Sequence, residues 1–216
     1  TATLRKEKAD FIATGRLAEW LREFECKITD PSKAAFRREW LRFYDEDPEK
    51  SLLPEKLVAI GSIDPAPPPP ENRPDRITTD YEVLRVVGYS KGNVYLLDKA
   101  KHRWHLPERT ISEFWRLNDR WHPFKWRVET IAYQRSLVWL LRRTMDTLHR
   151  FIQLDEVMDR RKKEHRIMQA FHGLASNGKL YVSRYDTEFI EDFCAFPDCE
   201  YFDDLDASAM AVDGLL

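Results

Sequence analysis

Long apolar runs are absent from this 216-residue sequence, and no stretch approaches the roughly 20 apolar residues that a bilayer-spanning helix needs. A signal-peptide pattern is absent as well. We therefore expect a soluble intracellular protein without a membrane partner. Glycine is also scarce, with seven residues in all, and none of them belongs to a glycine-rich phosphate loop. This absence excludes nucleotide hydrolysis by the P-loop route.

Cysteine and net charge are low too. The three cysteines, Cys26, Cys194 and Cys199, lack the spacing and the histidines of a zinc site, so we expect free thiols. The formal net charge is −2, so no overall field attracts nucleic acid or an acidic membrane surface. Contact with a polyanion therefore has to come from a local patch, and the segment "DRRKKEHR" at 159–166 is one. The alternative for such a charge run is a solvated helix face.

The apolar pattern changes near residue 57. Before about residue 50, apolar residues at mixed three- and four-residue spacings predict helices. From Leu57 onward the segments "LVAIGSID", "YEVLRVVGYS" and "NVYLLDKAKHRW" predict three strands, and the last two form a hairpin in which Gly92 supplies a positive φ. A helix at 107–121, a strand at 125–133, a helix at 134–151, a strand in "GKLYVSR" and two terminal helices follow. This order predicts an α/β fold with a mixed sheet covered by helices.

Aromatic residues are plentiful, and seven of them are tryptophans. Exposed tryptophans could stack on nucleic-acid bases. The positions of Trp115, Trp126 and Trp139 within the predicted elements instead favour packing in the core.

Acidic residues stand at the ends of the predicted sheet elements. They are Asp64 at the end of the first strand, Glu129 in the fourth, and Asp203, Asp204 and Asp206 at the start of the last helix. On a helix Asp203 and Asp206 share a face, whereas Asp204 is rotated away by about 100°. Each acid alone has a structural explanation, such as a turn, a helix start or a sheet edge. Their combination indicates a site.

Several ionised carboxylates within a few Å of one another repel unless divalent cations neutralise them. Two Mg²⁺ ions about 3.5 to 4 Å apart can activate water and stabilise the leaving oxygen of a phosphodiester. The pattern therefore favours a metal-dependent nuclease that uses two divalent cations, Mg²⁺ or Mn²⁺.

Four segments carry a resemblance to a known family: "AIGSIDPA", "DYEVLRVVGYSKGNVYLLDKAKHRW", "VETIAYQ" and "DDLDASAMAV". In order and spacing they resemble the C-terminal nuclease domain of the large terminase subunit of tailed bacteriophages, from about residue 57 to the end. The resemblance implies a ribonuclease H-like fold, in which the first and fourth strands lie side by side and the last helix begins across from them. It also implies an endonuclease that cuts concatemeric viral double-stranded DNA during packaging.

The same resemblance implies the roles of individual residues. Asp64 matches the first metal ligand and Glu129 the second acid, and the third ligand is Asp203 or Asp206, because "DDLDA" is one residue shorter than in many relatives. Asp204 and Asp80, in "TDYEVL", are neighbouring acids that would support these ligands. The basic segment would contact DNA phosphates, apart from the metal site, through Arg160, Lys162, Lys163 and Arg166.

The resemblance further implies that the chain has two parts. Residues 1–50 would be a helical linker or tail from a packaging ATPase domain of the same polypeptide, and residues 51–216 the nuclease domain. Expected partners are double-stranded DNA, that ATPase domain, the small terminase subunit and the portal protein, in the cytoplasm of the host cell.

Two other functions remain open from the sequence. One is a different ribonuclease H-like nuclease, such as a junction resolvase or a transposase core, although "DPA" and "ETIAYQ" argue against it. The other is an acidic docking module for the packaging machinery that catalyses nothing.

Overall fold

A computed structural model describes residues 34–45, 51–66, 81–103, 107–130 and 135–215, together with residues 7, 10, 11 and 14. Within this part of the chain the strands are β1 (Arg42–Phe43), β2 (Val58–Asp64), β3 (Glu82–Ser90), β4 (Asn93–His102), β5 (Lys125–Glu129), β6 (Gln153–Val157) and β7 (Leu180–Val182). The α-helices are α1 (Pro107–Trp121), α2 (Arg135–Leu148), α3 (Lys163–Ser176), α4 (Thr187–Ala195) and α5 (Asp203–Asp213). Among the described helices, none has the length and apolar character needed to cross a membrane.

The strands form one mixed sheet in the order β1-β7-β4-β3-β2-β5-β6. β3 runs antiparallel to its neighbours β2 and β4, whereas every other neighbouring pair is parallel. β2 and β5 are the first and fourth of the predicted strands, and they lie side by side as expected. Because they are parallel, their carboxyl ends meet at the same edge of the sheet.

Both faces of the sheet are covered by helices, so its central strands are buried on both sides without alternation. β2 and β3 are buried along nearly their whole length, as expected for strands packed on two sides. On one face α3, α4 and α5 contribute Phe171, Phe193 and Leu205 to a hydrophobic core. On the other face α1 and α2 contribute Phe114 and Leu141 to a second core. The predicted α/β class is confirmed.

Local predictions hold where turn chemistry or a clear apolar pattern determines the element. α1 has the predicted bounds, and the β3–β4 turn places Lys91 and Gly92 at φ values of 50° and 83°. The sequence missed β6 because its segment, "QLDEV", is polar. β6 is an edge strand that pairs only with β5 among the described strands, and an edge position tolerates polar side chains.

One tryptophan prediction was wrong. Trp126 is fully buried, but the Trp139 side chain on α2 is 57% exposed. The guanidinium of Arg143 lies 5.2 Å from the centre of the Trp139 ring. That cation–π contact lies on the solvent side of the helix, whereas Leu141 of the same helix packs in the core.

Residues 34–45, which the sequence assigned to the N-terminal tail, pack with the domain. Phe36 is buried and stacks on Phe193 at a ring distance of 4.5 Å, and β1 pairs with β7. This part of the predicted tail therefore shares the core of the sheet. The rest of that tail, with Cys26, lies outside the described residues except for the four positions given above, and Asp80 lies outside them as well.

The two described cysteines, Cys194 and Cys199, are free thiols as predicted. Burial raises the pKa of each thiol to about 12. Both thiols therefore stay protonated at neutral pH, and a protonated thiol is a poor nucleophile and a poor metal ligand.

A close contact between a glycine and an indole ring determines how β2 packs on β5. Gly61 stands opposite Trp126 in the parallel register, and a Cβ added at Gly61 would lie 2.2 Å from the Trp126 ring. The indole Nε1 donates to Asn118 Oδ1 of α1 at 3.3 Å. The ring is thus held in place where only glycine leaves room for it.

We expect Gly61→Ala to lower the free energy of unfolding by about 2 to 3 kcal/mol, because an overpacked core has to shift its backbone or its side chains. The matched control is Gly173→Ala on α3, where an added Cβ meets nothing within 4 Å. That change should be neutral or stabilise by up to about 1 kcal/mol, since alanine is the better helix former. Guanidinium unfolding measures both variants, and equal effects would contradict the packing argument.

Candidate metal and nuclease site

Three acids from three elements meet at the carboxyl edge of the sheet. Asp64 ends β2, Glu129 ends β5, and Asp206 lies in the first turn of α5. All three are buried, and carboxylate oxygens, one from each, lie within 4.8 Å of one another. The parallel register that pairs Ile63 with Val128 brings the two strand ends together.

Two hydrogen bonds hold α5 against the strands that carry these acids. The Ser62 hydroxyl of β2 donates to the carbonyl of Ala207 at 2.7 Å. From β5, Arg127 Nη1 donates to the carbonyl of Met210 at 2.6 Å. The helix that supplies Asp206 is therefore fixed to both strands.

The acids at the start of α5 divide between two sides of the helix, as the helical spacing predicted. Asp203 lies beside the three acids, and its Oδ2 accepts the backbone N–H of Tyr81 at 3.0 Å. Asp204 faces away and accepts a hydrogen bond from Lys99 Nζ at 2.5 Å. We refer to Asp64, Glu129, Asp203 and Asp206 together as the carboxylate site.

Two basic side chains enter the carboxylate site from α3. Lys163 Nζ lies 3.3 Å from an oxygen of each of Asp64, Asp203 and Asp206. Arg166 Nε donates to Asp206 Oδ1 at 2.6 Å, and its Nη2 also binds the Asp206 carboxylate. Arg166 Nη1 lies 3.3 Å from Glu129 Oε1. The sequence predicted that these two bases contact DNA phosphates apart from the acids, whereas the structure places both on acids of the carboxylate site.

The sequence spacing of Lys163 and Arg166 could have predicted that both side chains enter the same site. Lys163 and Arg166 are three residues apart, so on a helix they project from one face, and α3 begins at Lys163. Arg160 and Lys162, the other two residues of the predicted DNA contact, are exposed before that helix.

The electrostatics of Asp64 reflect this crowding. Burial raises the pKa of Asp64 well above its ordinary value, and Lys163 opposes that change. The neighbouring charges of Asp206, Glu129 and Asp203 raise it further. Ionised Asp64 therefore depends on nearby positive charge.

A second buried group of charges, which the sequence did not reveal, lies on the other side of α5. We call it the inner ion cluster, and it consists of Arg85, Lys99, Asp186 and Asp204. Asp186 lies 2.8 Å from Arg85 Nη1 and 2.7 Å from Lys99 Nζ. Burial acts against ionisation of Asp186, but Arg85 and Lys99 prevail and lower its pKa to about 2. Asp204 therefore neutralises buried bases and lies apart from the carboxylate site.

We expect Asp204→Asn to lower the free energy of unfolding by about 3 kcal/mol, because loss of one partner leaves buried positive charge uncompensated. Arg85 is 1% exposed, so water cannot take the place of the lost carboxylate. The control is Asp213→Asn at the end of the same helix. Its partner Arg161 is 37% exposed, and such surface pairs contribute below about 1 kcal/mol. Chemical unfolding that gave equal losses for the two variants would contradict the structural role of Asp204.

No protein-family model matches the sequence, and no curated protein matches it. Solved structures do match the fold. A large terminase from a thermophilic bacteriophage superposes with a TM-score of 0.56 over 81% of this chain and 42% of that chain, at 10% identity. A large terminase nuclease from the thermophilic phage G20c, with bound magnesium, superposes with a TM-score of 0.53 at 11% identity. The match covers 74% of this chain and 82% of that chain.

A third structure is the human cytomegalovirus terminase nuclease domain, soaked with manganese and bound to an inhibitor. Its TM-score is 0.52 at 12% identity, and the match covers 73% of this chain and 82% of that chain. At these identities the likeness establishes the fold. It is the ribonuclease H-like fold of large-terminase nuclease domains, as the sequence resemblance implied. The chain spans less than half the length of the bacteriophage large terminase that it matches.

Proposed function

We propose that this chain is the nuclease domain of a large terminase and cuts concatemeric viral double-stranded DNA during packaging as a metal-dependent endodeoxyribonuclease. The observation that carries the proposal is the buried group of Asp64, Glu129 and Asp206, with oxygens within 4.8 Å of one another at the ends of two parallel strands. Similar folds in terminase nucleases support it, among them one with bound magnesium.

The donor set fits hard divalent cations. It contains only carboxylate oxygens, which are the ligands that Mg²⁺ and Mn²⁺ prefer. These acids already hold one positive charge, because Lys163 Nζ lies 3.3 Å from an oxygen of each of Asp64, Asp203 and Asp206. We assign direct metal contacts to Asp64, Glu129 and Asp206, with Asp203 completing the site beside them.

When bound, two divalent cations would activate water and stabilise the charge that develops on the phosphodiester. The chain's own groups prepare the site. Arg166 holds the Asp206 carboxylate through two of its nitrogens and also contacts Glu129. Such contacts fix the orientation of the ligands before a cation or a substrate arrives.

Substrate DNA would approach over the exposed part of the basic segment. Arg160 and Lys162 are exposed and directly precede Lys163, whose ammonium reaches the carboxylate site. Phosphate contacts at these two positions would orient a duplex towards the acids. We assign the residues before 34, of which Phe11 packs against the core of the sheet, to the segment that joins this domain to a packaging ATPase domain. The small terminase subunit and the portal are the further proposed partners, in the host-cell cytoplasm.

We expect the chain to cleave plasmid DNA with Mn²⁺ or Mg²⁺ and to stop when a chelator is added. Asp64→Asn and Asp206→Asn each remove a ligand, which should slow single-turnover cleavage by roughly three orders of magnitude. Asp203→Asn should slow single-turnover cleavage by about 10- to 100-fold, the usual effect of removing an acid that lies beside the ligands. A quench-flow or gel time course at saturating Mn²⁺ measures these rates.

Folding of the same variants provides the control. Asp64→Asn removes one of several repelling carboxylates, so its melting temperature without metal should hold or rise. Full cleavage activity in folded Asp64→Asn would refute the metal assignment. Absence of cleavage by the folded chain with every metal tested would favour the acidic docking module instead.

Replacing Arg160 and Lys162 together by Ala should weaken DNA binding and flatten its salt dependence. Each lost phosphate contact lowers the magnitude of the log–log slope by about 0.9 on duplex DNA. Lys179→Ala, an exposed lysine just before β7, is the matched control and should leave the slope unchanged. Titration of a labelled duplex without metal measures the slope, and an unchanged slope in the double variant would mean that the segment is only a solvated surface.

A further inference from the structure

The ammonium of Lys163 lies among the acids of the proposed metal site. Its Nζ is equidistant, at 3.3 Å, from oxygens of Asp64, Asp203 and Asp206. Those acids come from β2 and from the first turn of α5. Asp64 and Asp206 also belong to the group of three acids that could hold a metal ion, so an ammonium and a divalent cation compete for these two carboxylates.

The two bases of the carboxylate site differ in their freedom to leave it. The Arg166 side chain is 3% exposed, and it is held by Asp206, by Glu129 and by Asp159 at 3.5 Å. The Lys163 side chain is 42% exposed. Lysine is a point charge on a flexible four-carbon stem, whereas the planar fork of arginine fits carboxylates in fixed geometry. Lys163 can therefore rotate into solvent while Arg166 stays.

We propose that Lys163 is an exchangeable internal counter-ion, which closes the carboxylate site in the metal-free protein and turns outward when a divalent cation binds. This inference rests on the proposed metal site. The four acids outnumber the two bases, so the site keeps a negative charge that attracts the cation even with Lys163 inside. Arg166 remains on Asp206 and Glu129 throughout and preserves their orientation.

The exchange has a measurable cost in metal affinity. Only the conformation with Lys163 turned outward accepts the metal ion, so the apparent affinity is the intrinsic affinity multiplied by the fraction of molecules in that conformation. A minor conformation usually makes up roughly 0.1–10% of a protein. With an outward population of about 1–10%, removing the ammonium should tighten metal binding about 10- to 100-fold.

The first experiment titrates the full chain with Mn²⁺ alone by calorimetry, without DNA. Lys163→Met keeps most of the length of the side chain and removes its charge, and we expect the dissociation constant of this variant for Mn²⁺ to fall about 10- to 100-fold. Lys162→Met removes the same charge from the exposed neighbouring position. It should change the dissociation constant for Mn²⁺ by less than about threefold, because exposed charges are screened. Equal or weaker binding by Lys163→Met would overturn the proposal.

The second experiment uses the wild-type chain, so it does not depend on the folding of a variant. An amine-acetylating reagent followed by peptide mass spectrometry reports how accessible each lysine is. Saturating Mn²⁺ should raise the acetylation rate of Lys163 several-fold and leave that of Lys162 unchanged. A constant rate at Lys163 despite bound Mn²⁺ would refute the exchange.

The outcomes separate this inference from the proposed function. If Mn²⁺ binds and exposes Lys163 but no DNA is cut, the exchange holds and the nuclease proposal fails. If cleavage depends on Mn²⁺ while Lys163 stays protected, the nuclease stands and the exchange fails. If no variant binds Mn²⁺, both are overturned.

Discussion

Four carboxylates lie close together at the edge of a buried sheet, and they are stable as anions only if positive charge lies near them. Asp64, Glu129, Asp203 and Asp206 are all nearly buried, where an isolated charge is costly. Lys163 and Arg166 supply positive charge from α3. A site that compensates its acids incompletely remains able to attract a cation. The same repulsion that would destabilise a purely structural cluster therefore suits a metal site.

The rigidity of the site comes from apolar packing and from a few hydrogen bonds. The close contact of Gly61 with the Trp126 ring fixes how β2 lies beside β5, and so the spacing of Asp64 and Glu129. Ser62 and Arg127 bind backbone carbonyls of α5 and fix the helix that carries Asp206. The stability of the fold and the geometry of the carboxylate site therefore depend on the same contacts between strands and helix.

α5 separates two charged groups that lie close together in the sequence. Asp206 belongs to the carboxylate site, whereas Asp204, two residues earlier, belongs to the inner ion cluster with Lys99 and Arg85. The first group has a half-exposed base, Lys163, that we propose can leave, whereas the bases of the second group, Arg85 and Lys99, are buried or mostly buried. One helix therefore presents acids to a site of exchangeable charge on one side and to a fixed structural network on the other.

Local chemistry in the sequence determined many of the elements. Apolar runs located β2, β3 and β4, the glycine of the hairpin turn matched its positive φ, and helical spacing separated Asp204 from its neighbours. The resemblance of four segments led to the fold that the solved structures share. β6 was missed because a polar edge strand carries little apolar signal, and Trp139 was misplaced because the buried face of α2 depends on its neighbours.

The sequence by itself therefore determined the order of the elements apart from β1 and β6, and it located the acids at the ends of β2 and β5 and at the start of α5, because these follow from short-range patterns. Only the tertiary structure decided which charges meet. Lys163 and Arg166 lie about forty residues from Asp206 along the chain, and no local pattern places α3 across the sheet edge from α5. Their contact depends on how α3 and α5 pack on one face of the sheet, a long-range arrangement set by the shared hydrophobic core.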